Sequence, residues 1–86
     1  MNKAGGMKIT LRHLTYFIAA AETSSITLAS KRANISQPAI STAISHIERE
    51  LEVQLFLRHH AQGLSLTPAG RALLRDAKQL MKQAEG

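Results

Sequence analysis

The tightest constraint on this chain lies between residues 26 and 47, where small and aliphatic residues stand at the positions that two closely crossing helices need. Ile26, Ala29 and Ala33 recur at helical spacing. At about 100° per residue, Ile40, Ile44, Ile47 and Leu51 fall within one narrow arc of a second helix. Asn34 sits between two apolar residues, and asparagine tolerates the left-handed backbone of a sharp corner. Ser36-Gln37-Pro38 is a strong restart signal, because Ser36 can cap the orphan N–H groups and a first-turn proline loses no hydrogen bond. Close crossing also needs Ser30 between the alanines, Ile35 after the corner, and Ile40 and Ala43 facing back, and the chain supplies all of them. This is the pattern of a helix-turn-helix, whose second helix protrudes by its N-terminal half.

The flanks supply the remaining elements. Met1 to Gly6 reads as a leader, with Met7 a second candidate start. Leu11, Leu14, Phe17, Ile18 and Ala21 define a first helix capped by Thr10, and Thr23, Ser24 and Ser25 separate it from the second. After helix 36–52 the spacing changes. Leu55-Phe56-Leu57-Arg58, a polar tip from His59 to Gly63, and Leu64-Ser65-Leu66 predict a hairpin over 55–66. Thr67-Pro68 repeats the cap-then-proline signal, and a last helix follows, with no closing cap before Gly86. Its stripe of Leu73, Ala77, Leu80 and Ala84 steps by four, three and four, the spacing of a two-helix seam, although the same stripe would also pack on the first helix.

Eighty-six residues leave no room for a multidomain enzyme, so function must reside on a surface. Eleven Lys and Arg against six Asp and Glu give a formal charge of +5, which makes an acidic polymer the natural partner. The basic residues lie on both sides of an acidic segment holding Glu48, Glu50 and Glu52. Absence of cysteine excludes disulfide frameworks, thiolate nucleophiles and Cys-type zinc fingers, and fits a reducing cytoplasm. The longest apolar run, Tyr16 to Ala21, is far below the ~20 residues of a membrane span, and Arg12 and His13 interrupt any secretory signal.

The outward face of helix 36–52 carries the chemistry. The B-form major groove admits one helix and displays a donor and acceptor pattern distinct for each base pair. Gln37, Pro38, Ser41, Thr42 and Ser45 form a short polar face suited to base contact. Glutamine can pair bidentately with adenine, serine and threonine bond several edges, and Pro38 and the Thr42 methyl suit a thymine methyl. Ser36 at the helix N-terminus suits a phosphate, and Lys31, Arg49, Arg58 and His59 complete the candidate backbone and wing contacts. Other chemistries are weaker. His59 and His60 are adjacent loop histidines with no further ligand nearby in sequence, so no metal site is assigned. Ser36 or Ser41 with His46 and Asp76 lacks an oxyanion site and a cleft, so catalysis is rejected. No cofactor is expected. A helical dimerisation or protein-interaction module working through the last helix is the alternative.

The ordered runs Leu11-Arg12-His13-Leu14-Thr15-Tyr16-Phe17, Ser36-Gln37-Pro38-Ala39-Ile40-Ser41, Ile47-Glu48, Leu55-Phe56, Arg58 and Leu66-Thr67-Pro68-Ala69-Gly70 resemble the N-terminal domain of LysR-type transcriptional regulators. The resemblance implies a mainly α winged helix-turn-helix with a three-helix core, a two-stranded wing and a long C-terminal linker helix. The corresponding divisions are a flexible leader over 1–8, a DNA-binding domain over 9–67 and a linker or dimerisation helix over 68–86. It further implies a bacterial, cytoplasmic and nucleoid-associated homodimer or tetramer on double-stranded DNA with an interrupted palindromic operator. Position by position, Gln37, Pro38 and Ser41 match base-reading sites, Ser36 a phosphate site and Arg58 the wing arginine. Leu73, Ala77, Leu80 and Ala84 would lie in the dimerising helix. A small-molecule effector would act only through a C-terminal domain not contained in this sequence, which looks like an excised fragment. Two departures stand out: Thr42 occupies a position where many relatives place arginine, and the tip His59-His60-Ala61-Gln62-Gly63 lacks the arginines common there.

Overall fold

The computed structural model describes residues 8–59 and 63–85, so residues 1–7 of the leader expected over 1–8, the wing tip at 60–62 and Gly86 lie outside the described residues. The elements follow in the order α1 (Leu11–Thr23), α2 (Ile26–Ala33), α3 (Gln37–Leu51), β1 (Phe56–His59), β2 (Gly63–Leu66) and α4 (Pro68–Glu85). Mainly helical with a two-stranded antiparallel wing, this is a winged helix-turn-helix.

Local side chains set the helix starts. The Thr10 hydroxyl oxygen accepts from the His13 N–H at 3.1 Å while His13 Nδ1 accepts from the Thr10 N–H at 3.0 Å, a reciprocal capping box. Ser25 and Ser36 cap α2 and α3 by accepting from Leu28 and Ala39 N–H at 3.0 and 3.2 Å. Thr67 caps α4, accepting from the Gly70 N–H at 2.9 Å and donating to the Gln54 carbonyl at 2.5 Å. The chain reverses after α2 at Asn34 (φ 60°), where the Ile35 N–H returns to the Ser30 carbonyl at 3.0 Å. Ser24 and Glu52 take the same left-handed cap conformation after α1 and α3.

One core joins all these elements. Phe17 from α1, Ile40, Ile44 and Ile47 from α3, and Leu55 ahead of the wing are fully enclosed. Phe17 meets Phe56 with ring centroids 5.5 Å apart, so two of the three aromatic residues support a largely aliphatic interior. Ala29 and Ser30 are buried where α2 crosses, as close approach requires. The wing pairs Phe56 with Leu66 and His59 with Gly63, so the strands extend one pair farther towards the tip than the polar composition predicts. It is tied to both neighbours: Glu48 of α3 accepts from the Leu55 N–H at 2.8 Å, and the Ser24 carbonyl after α1 accepts from the Leu64 N–H at 3.0 Å. Gly63 (φ +81°) lies against that Ser24 carbonyl with no room for a Cβ.

Candidate nucleic-acid interface

Burial of one α3 face determines what the opposite face can do. Ile40, Ala43, Ile44 and Ile47 are committed to the core, which leaves Gln37, Pro38, Thr42 and Arg49 exposed and Ser41 and Ser45 half-buried between them. The structure therefore brings all five expected base-reading residues together on one accessible surface. None is long except Gln37 at the N-terminal end, so the helix backbone can approach a partner closely. Ser36 is exposed; its oxygen is engaged by the Ala39 N–H, and its hydroxyl proton is left for an acceptor such as a phosphate.

The expected backbone contacts are distributed around this face. Lys31 is exposed in the last turn of α2, and Arg49 in the last turn of α3. Arg58 shares the inward side of the ribbon with Phe56, Leu64 and Leu66 but is exposed beyond the core. His59 is exposed and bonded across the strands to the Ser65 hydroxyl, Nε2 to Oγ 2.7 Å, so this ring braces the wing as well as presenting a polar edge.

The stripe expected to dimerise is divided by the fold. Ala77 is only 2% exposed and belongs to the core, and Leu73 is half-buried against it, whereas Leu80 is 44% exposed and Ala84 is exposed. Ala77 is thus corrected from a partner contact to a packing residue: the small side chain lets α4 lie close to the domain body. Beside the stripe, Ile18 of α1 with Leu74 and Met81 of α4 line an open groove that the heptad reading missed. The seven-residue step between Leu74 and Met81 was the available signal.

Charge–charge contacts lock the groove's rim. Glu22 of α1 bonds Lys78 of α4 at 2.8 Å and Arg32 of α2 at 2.7 Å. Its carboxyl is held below the usual glutamate value, first by the Lys78 bond and then by Arg32. At the other end of α1, burial and then the neighbouring His46 and Arg12 lower the His13 pKa from its ordinary 6.5. A neutral His13 is what the capping box requires, since Nδ1 must accept. Sequence reading assigns roles to neither Glu22 nor His13, because the partners of Glu22 and the His46 ring beside His13 are set by tertiary packing.

With this geometry in view, residues 11–71 match the family model of the bacterial regulatory helix-turn-helix proteins of the lysR family. The chain belongs to the LysR family. Among LysR relatives, it is 46% identical over 74 residues to the HTH-type transcriptional regulator ClcR of Pseudomonas putida, covering 86% of this chain and 25% of ClcR. It is similar to the DNA-binding domain of CbnR in a DNA complex, with 41% identity and a TM-score of 0.85 over 88% of this chain and 86% of that one. The BenM DNA-binding domain in complex with catB site 1 DNA gives 36% identity and a TM-score of 0.83, covering 88% of this chain and 83% of that chain. The chain spans about a quarter of the length of the curated relatives it matches.

Proposed function

We propose that this chain binds double-stranded DNA sequence-specifically for bacterial transcriptional regulation, with α3 in the major groove and the wing on the adjacent backbone or minor groove. The observation that carries the reading is the slim, exposed polar face of α3, backed by three fully buried isoleucines. Gln37, Pro38, Ser41, Thr42 and Ser45 contact bases; Ser36, Lys31, Arg49, Arg58 and His59 contact the backbone or the wing-side groove. The DNA complexes of the similar CbnR and BenM domains support the DNA-binding reading. Binding without catalysis agrees with relatives named as transcriptional regulators.

The working unit is a homodimer on an interrupted palindrome, tetrameric where a full-length protein carries further contacts. Leu80 and Ala84, with Leu73 at the inner edge of the same stripe, supply the dimer seam on α4. A small-molecule effector would act through a C-terminal domain, and the site of action is the cytoplasm, at the nucleoid. No described helix is long and apolar enough to cross a membrane.

Selection of bound duplexes from a random pool tests the reading. The expected product is a palindromic motif whose half-sites lie about one turn, ~34 Å, apart or a multiple of that. Recovery of unrelated sequences in proportion to the input would overturn it.

A further inference from the structure

Lys8, three residues ahead of α1, is fastened to α3 by both of its backbone polar groups. His46 Nε2 lies 2.6 Å from the Lys8 carbonyl oxygen, so this nitrogen carries the proton and donates. The Lys8 N–H points to Glu50 Oε1 at 3.4 Å, a longer and weaker contact one turn farther along the same helix. The His46 ring also packs against His13, ring centroids 4.5 Å apart, and His13 is fixed in turn by the Thr10 capping box. Residues 8–10 therefore run along the flank of α3 as a strap rather than leaving the domain.

The position of the strap gives it a use. At about 100° per residue, His46 lies about 40° around α3 from Thr42 and about 60° from Arg49, both on the exposed polar face. Lys8 is thus anchored at the border of that face, on the side away from Glu48 and the wing, where the phosphate wall of a groove would pass. The backbone of Lys8 is occupied by α3 and its side chain is exposed, which leaves a flexible ammonium as the part free to act. We propose that Lys8 is a phosphate contact held in place by His46, a positioning residue on the DNA-reading helix itself. The inference rests on α3 facing the duplex and adds a contact on the flank opposite Arg58.

The test is the salt dependence of binding, measured for the whole chain on a pool-selected duplex and on a random-sequence duplex. Lys8→Gln should lower the slope of log K against log salt by about 0.9 on both, leaving the ratio between them unchanged. His46→Ala should produce the same drop, the double variant no further drop, and His46→Gln, whose amide can still donate to the Lys8 carbonyl, should recover part of it. Lys8 is exposed, so its replacement leaves folding intact, and thermal melts establish the same for the His46 variants. An unchanged slope for Lys8→Gln, with the selected duplex still preferred, overturns the strap contact and spares the α3 reading. Loss of all preference among duplexes in the unmodified chain overturns the α3 reading itself.

Discussion

Helix α3 encloses Ile40, Ile44 and Ile47 completely and leaves a polar face bare, whereas α4 encloses Ala77, half-covers Leu73 and leaves Leu80 in solvent. Both helices present apolar residues at helical spacing, but the stripe on α3 is satisfied by its own chain and the stripe on α4 is satisfied only in part. The difference teaches that periodicity identifies a face that wants burial, not what buries it. On α3 the partner is intramolecular, so the polar side is the functional one. On α4 the uncovered apolar edge is itself the functional candidate.

The sharpest way to break this contrast is to damage each stripe separately. Ile44→Ala removes a fully enclosed side chain and should cost about 2–5 kcal/mol in chemical unfolding, abolishing DNA binding through loss of the fold. A cost near zero would show that α3 is not anchored as described. Gly70→Ala probes the junction holding α4 to the wing, because a Cβ there would collide with the Leu55 carbonyl and crowd a Leu66 methyl at 2.9 Å. Overpacking of this kind should lower stability by about 1–3 kcal/mol, read from the denaturation midpoint. Leu80→Glu should leave monomer stability within about 0.5 kcal/mol while shifting sedimentation from dimer to monomer, since Leu80 is 44% exposed. Large destabilisation at Leu80 would place it in the core with Ala77 and erase the distinction.

Acid titration gives the smallest effect and sharpens the account of the α1–α3 junction. Folding lowers the His13 pKa, so between its folded and unfolded values the unfolded chain binds more protons and stability rises with pH. The contribution is complete above the ordinary value of 6.5 and is lost as pH falls from there through the folded-state value. The urea midpoint should therefore drop as pH falls below the ordinary value of 6.5, and His13→Gln should flatten that part of the profile. Glu22, also lowered by folding, contributes above its ordinary value of 4.5 and loses its effect only below that, so the two groups separate along the pH axis.

What the sequence disclosed follows from the range of each interaction. Thr10, Ser25, Ser36 and Thr67 act on N–H groups three residues away, and the corner at Asn34 follows from that residue's own backbone tolerance, so helix starts and the turn were legible. The left-handed caps at Ser24 and Glu52 were not, because neither residue favours that conformation and packing imposes it. The candidate DNA face was legible because the isoleucine arc fixes its complement. The strap from Lys8 to His46 spans 38 residues and the Glu22–Lys78 pair joins opposite ends of the chain, and no local pattern encodes either. The division of the α4 stripe between Ala77 and Leu80 also depended on where α1 lies.

Affinity of the unmodified chain and of Gln37→Ala for a pool-selected duplex and for its scrambled counterpart tests the central claim most directly. The account predicts a loss of roughly 1–3 kcal/mol on the selected duplex and little change on the scrambled one. An equal loss on both would contradict it, reducing Gln37 to a backbone contact and leaving α3 without a reading face.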